Sequence, residues 1–151
     1  MNTIYVDADA CPVKDEVYRV ADRYQWRVVV VANMWLRVPE HPRISRVIVT
    51  EGLDKADDWI AEQAGEGDVV VTADIPLADR CVKKGARVLG PNGKAFTPSS
   101  IGADLALRNL MTTLRETGEI RSGGRPFGKE DRSRFLVALD TAVQAIRRTG
   151  R

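Results

Sequence analysis

Six aspartates stand where their spacing could do chemistry. Asp7 and Asp9 close the apolar run Thr3-Ile4-Tyr5-Val6, Asp54, Asp57 and Asp58 open "DKADDWIAEQAG", and Asp74 ends "DVVVTAD". Side chains two apart on a strand share a face, and side chains three or four apart in a helix share a side, about 5–6 Å from one another at Cβ. Two carboxylates about 5 Å apart repel by roughly 3 kcal/mol at an effective dielectric of 20. A cluster of them must raise its pKa values or hold a cation. The chain has one histidine, His41 in "PEHPR", and two cysteines, Cys11 and Cys81, in no paired motif. Neither a zinc site nor a disulfide is expected, and the chemistry must rest on carboxylates. Oxygen-only ligands suit Mg²⁺ or Mn²⁺, which polarise phosphoryl oxygens and activate water. Each acid alone has a plainer role as an N-cap or a partner of a helix dipole. It is their convergence that makes the group a candidate.

The elements around them must bring that convergence about. Apolar, β-branched runs occur at "TIYV", "RVVVVAN", "RVIVT", "DVVVTAD" and "ARVLG", four of them without polar alternation, as in a sheet covered on both faces. Helical stretches lie between: "PVKDEVYRVADRY" opening on Pro12, "DKADDWIAEQAG" ending at Gly65, and "PLADRCVKKG" closing on Gly85. The alternation predicts an α/β sandwich with a mostly parallel sheet of about five strands. The stretch containing "MWLRVPEHP" reads as an irregular loop. Two C-terminal helices follow as a pair, over about Ser100–Thr117 and Lys129–Arg148, joined by the Gly-rich "TGEIRSGGRPFG". The 151 residues make a single domain, with an acidic α/β part over 1–100 and a basic helical extension over 101–151. Ligands of a parallel α/β sheet gather at the carboxyl ends of its strands. Asp7 and Asp74 should both reach that edge, and the helix opened by Asp54, Asp57 and Asp58 starts from it.

The charge is unevenly divided. Residues 1–100 carry 13 Lys and Arg against 15 Asp and Glu, whereas residues 101–151 carry 10 against 6. Arg121, Arg125, Lys129, Arg132 and Arg134 surround the Gly-rich link and are candidates for phosphate contact, the plainer reading being a solvated helical face. Asn33 could orient a substrate at the shared edge, and Thr72 could bond Asp74. Lys14 and Arg37 could reach a phosphate. Trp26 and Trp59 read as packing residues, and Trp35, in the irregular loop, is the best placed to stack a base. No leader-like or membrane-length apolar run occurs, so a cytoplasmic protein without a membrane partner is expected.

The stretch "DDWIAEQAGEGDVVVTADIPLAD", residues 57–79, resembles the end of a PIN-like nuclease domain. There an Asp opens a helix of the form Asp-x-x-Ile-Ala and a strand follows ending in Thr-x-Asp; the matching positions are Asp57, Ile60, Ala61, Thr72 and Asp74. "EGLDKADD" is similar to the Gly-hydrophobic-Asp entry of the NYN nucleases, which adds Asp54. Over nearly its whole length, with "DADACPVKDEVYRVA" at the front and "SGGRPF…DRSRF…LD" at the back, the chain resembles the YaiI/YqxD family of bacterial proteins. The resemblance implies a three-layer PIN-like fold. It also implies hydrolysis of RNA or single-stranded nucleic acid by a metal-activated water. Asp7, Asp54, Asp57 and Asp74 would hold one or two Mg²⁺ or Mn²⁺, with Asp9, Asp58, Thr72 and Asn33 auxiliary. Typical PIN domains carry a further acid on an intervening helix; no position matches it here, and Asp9 or Asp58 could substitute.

Two other classes fit part of the pattern. "VDADAC" resembles the Asp-x-Asp motif of haloacid-dehalogenase-type phosphatases, which would make Asp7 a Mg²⁺-assisted nucleophile. A non-catalytic RNA-binding or regulatory module would keep the acids without the reaction.

Overall fold

Runs of β-branched residues favour extended backbone, because their side chains pack well on a pleated, covered surface. A computed structural model describes residues 2–8, 11–49, 55–116 and 127–149. All five apolar runs become parallel strands: β1 (Thr3–Asp7), β2 (Arg27–Ala32), β3 (Ile44–Ile48), β4 (Val69–Val71) and β5 (Arg87–Leu89). A sixth, β6 (Ala95–Phe96), pairs antiparallel with β5 through a tight hairpin. The sheet order among the described residues is β3-β2-β1-β4-β5-β6. The chain therefore builds outward from β1 to β3, returns to the other side of β1 for β4, and leaves a switch in direction between β1 and β4.

Among the described residues, five helices lie on the sheet: α1 (Lys14–Tyr24), α2 (Lys55–Gln63), α3 (Ile75–Lys83), α4 (Ile101–Glu116) and α5 (Lys129–Arg148). Pro12 stands outside α1, whose N-cap is Val13, whereas Pro76 does occupy the first turn of α3. β3 begins at Ile44, two residues before the apolar run that signalled it.

Alternate residues of each central strand face opposite layers, which is why the runs are apolar without interruption. Ile4, Val6, Val28, Val30, Val69 and Val71 pack with Val17 and Val20 of α1 and with Phe135, Leu139 and Val143 of α5. Val29, Val31 and Val70 pack with Ile60 of α2, Leu77 and Cys81 of α3, and Ile101 of α4. The result is three layers, as the resemblance implies. The two C-terminal helices are not the pair expected from their adjacency in sequence: α4 packs on α3, and α5 packs on α1 and β5. α4 buries only its beginning, for Ile101 and Asp104 are buried while Leu107 and Leu110 are more than half exposed.

Two devices fix the strands that carry the site. At the start of β1, Asp68 accepts from Thr3 N–H at 3.2 Å with one oxygen and from Gly65 N–H at 3.1 Å with the other, so β1 and β4 are tied in register from below. At the β5–β6 hairpin, Gly93 has φ +90° and lies against α5, where an added Cβ would come within 2.8 Å of the Arg134 carbonyl oxygen. Only glycine meets both demands there.

Candidate functional site

The carboxyl end of β1 places Asp7 beside β2 and β4, with Asp7 in register with Val31. Its side chain is not at the surface: Asp7 is 5% exposed. A carboxylate removed from water needs hydrogen bonds. Thr72, the residue after β4 and itself wholly buried, donates its hydroxyl to Asp7 Oδ2 at 2.8 Å. The same Oγ1 accepts from the Asp74 backbone N–H at 3.0 Å. A threonine hydroxyl has one proton, and here it is directed at Asp7.

Asp74 turns the chain into α3. Its backbone is extended, with φ −84° and ψ 109°, and its Oδ1 accepts from Leu77 N–H at 3.0 Å. That is an N-cap bond to a free amide of the first turn. It leaves Oδ2 of Asp74 outside the bond. Asp7, Thr72 and Asp74 thus form one hydrogen-bonded chain across the switch point of the sheet, where ligands of open α/β sheets bind.

The other sequence-predicted residues are placed differently. Asp57 and Asp58 occupy the first turn of α2. Asp58 is paired with Arg80 of α3 at 2.8 Å, both side chains near half exposure. That hydrogen bond is the main cause of the raised pKa of Arg80, and the Asp57 charge acts on Arg80 and Cys81 as well. Asn33 follows β2 at the same edge as Asp7, partly buried. Asp9 and Asp54 lie outside the described residues. Among those described, no group of three or more His, Cys, Asp or Glu is gathered closely enough to hold a metal ion.

Of the basic candidates, Arg121 and Arg125 also lie outside the described residues, and Lys129 is exposed at the start of α5. Arg132 is engaged within the fold: Nη1 donates to Pro12 O at 2.8 Å and to Glu16 Oε1 at 3.0 Å, and its guanidinium lies over the Phe127 ring. Arg134 pairs with Asp131 at 2.7 Å, and Asp131 in turn accepts from Gly128 N–H at 3.0 Å. Both arginines first serve α5 and its junction with α1.

Both thiols are buried, and burial is the first cause of their raised pKa, which reaches about 11 for Cys11 and for Cys81. They are not poised nucleophiles. No helix among the described residues is long and apolar enough to cross a membrane.

The profile of the family described as "Uncharacterized BCR, YaiI/YqxD family" matches residues 5–145. A "UPF0178 protein" of Nitrobacter winogradskyi is 62% identical over 145 residues, covering 96% of this chain and 92% of its own. One from Rhodopseudomonas palustris is 62% identical over 148 residues, covering 98% and 94%. One from Bradyrhizobium diazoefficiens is 61% identical over 145 residues, covering 96% and 87%. The chain belongs to the YaiI/YqxD family.

Proposed function

We propose that the chain is a metal-dependent phosphodiesterase acting on RNA or single-stranded nucleic acid, with its reaction centre at the switch point between β1 and β4. The observation that carries this reading is the bonded chain Asp7–Thr72–Asp74, in which Thr72 holds the buried carboxyl group of Asp7 and the backbone of Asp74 at that crevice. A hydroxyl that donates to Asp7 fixes the orientation of its carboxyl group, as a ligand or a general base requires.

The donor set suits Mg²⁺ or Mn²⁺. Mg²⁺ keeps several waters and is ordinarily held by one or two carboxylates together with substrate phosphates, so it needs no closed cage of acids. Asp7 and Asp74 would be the ligands, Asp57 would extend the site from the first turn of α2, and Asp54 and Asp9 would complete the acid set. Asp58 is committed to Arg80. When bound, the cation would supply Lewis acidity and neutralise phosphoryl charge. The chain itself positions Asp7 through Thr72, keeps its carboxylate away from bulk water, and presents Asp74 from a fixed helix N-terminus.

The test is hydrolysis of a labelled single-stranded RNA with Mn²⁺ or Mg²⁺ and with a chelator. Wild-type protein should cut only with metal, and Asp7→Asn should lose roughly a hundredfold or more in rate. No hydrolysis by wild type under either metal would end this reading, and capture of a phospho-aspartate at Asp7 would replace it with the phosphatase.

A further inference from the structure

The connection between β2 and β3 sends alternate side chains in opposite directions. Leu36 and Val38 pack against the core on the α1 face, while Trp35 is 67% exposed. Trp26 is buried at 4% exposure, and Trp59 packs edge-to-face on Tyr5 with ring centroids 6.0 Å apart. Of the three tryptophans, Trp35 is the most exposed. The guanidinium of Arg46, on β3, lies 4.9 Å from the Trp35 ring centroid, which orients the ring and backs it with a positive charge.

Two residues further on, Arg37 reaches a cleft of about 500 Å³ that also has Cys11, Lys14, Asp15 and Tyr18 in its walls. Two cations face one acid there. Lys14 is held in place by its bond from Nζ to Cys11 O at 3.1 Å. Cys11 in the cleft wall donates its backbone N–H to Ala8 O at 3.4 Å, just past the end of β1, so the cleft adjoins that strand end. Two residues of chain span at most about 7 Å, so Trp35 and Arg37 leave the backbone close together on one loop.

We propose that Trp35, backed by Arg46, and the cleft holding Lys14 and Arg37 form a track for single-stranded nucleic acid, the indole stacking one base and the cleft taking a neighbouring phosphate. A flat aromatic surface beside a cationic groove is the general means by which single strands are held without regard to sequence. A duplex does not fit this description, because its base faces are already stacked. The substrate class rests on the nuclease reading above; the binding surface does not need the reaction.

The test is therefore made with a chelator present, where nothing is cut. The anisotropy of a labelled oligouridylate and of an abasic phosphate chain of equal length is titrated at several salt concentrations. Trp35→Ala should weaken oligouridylate binding roughly tenfold, leave the abasic chain unaffected, and be largely rescued by Trp35→Phe. Arg37→Ala should weaken both and flatten the salt dependence by about 0.7 in slope. Wild-type affinities in Trp35→Ala and Arg37→Ala would overturn the track, as would a wild-type protein that binds no oligouridylate. An indole that docks a peptide instead would give the first of these results. Hydrolysis that survives both substitutions leaves the nuclease reading standing alone, and binding without hydrolysis leaves the track standing alone.

Discussion

Thr72 directs its single hydroxyl proton to Oδ2 of Asp7 at 2.8 Å, although the two residues are 65 positions apart in sequence. The bond ties the carboxyl ends of β1 and β4 together at a buried carboxyl group, as the Asp68 bonds tie their other ends. Thr72→Val keeps the shape and removes the donor. It should cost about 1–3 kcal/mol in urea denaturation, whereas Thr72→Ser should restore most of the loss. A loss in Thr72→Ser with none in Thr72→Val would assign the effect to packing of the threonine methyl.

Asp74→Asn separates charge from capping. Asparagine caps helices about as well as aspartate, so stability should stay within about 0.5 kcal/mol of wild type. Mn²⁺ affinity measured by calorimetry should fall at least tenfold, with hydrolysis lost. Unchanged Mn²⁺ affinity would remove Asp74 from the ligand set.

The thiols give a pH dependence with a definite sign. Cys11 and Cys81 are held up to about 11 by burial, against about 8.5 in an unfolded chain. Above about 8.5 the unfolded state releases protons that the folded state keeps, so stability falls as pH rises. The contribution is whole below that value and is lost through the folded pKa. A loss on the order of 1 kcal/mol per thiol is expected by pH 9.5. Tyr5 and Tyr18, also raised chiefly by burial, join only above about 10. Cys11→Ala with Cys81→Ala should lower the whole denaturation curve and flatten it between pH 8 and 10; curves that run parallel to wild type would contradict the assignment.

Arg132 ties α5 to α1 through Glu16 and Pro12 O, with its own side chain 46% exposed. Solvent screens that pair, so Arg132→Gln should cost about 1 kcal/mol. The salt slope of RNA binding should barely change, because the charge removed is one that Glu16 already neutralises. A drop of about 0.7 in slope would instead count Arg132 among the phosphate contacts.

Much of this was legible in the chain. Unbroken valine runs announced strands covered on both faces, and the placement of Asp7 and Asp74 at strand ends put them at one edge. Lys129–Arg148 is helical over the predicted span. Other features have no local signal. β6 is two residues long and without a β-branched residue, so its pairing comes from the hairpin and not from propensity. Which face takes α4 and which takes α5 is set by how each connection packs, and periodicity is blind to it. Asp57 and Asp58 look alike in sequence, and only Arg80, 22 residues away, distinguishes Asp58. Arg132 likewise looks like a free surface charge until Glu16, 116 residues earlier, is seen beside it.

That last distance bears on how the protein is made. β1 sits near the middle of the sheet and α1 leans on it, yet the slot over α1 is filled by Phe135 and Leu139, both wholly buried. During synthesis this greasy flank stays open until α5 clears the ribosome, so the α1 side of the sheet is covered only once Lys129–Arg148 has emerged. A transcript truncated ahead of Lys129 would release a nascent chain with that flank bare, a ready substrate for chaperones and proteases.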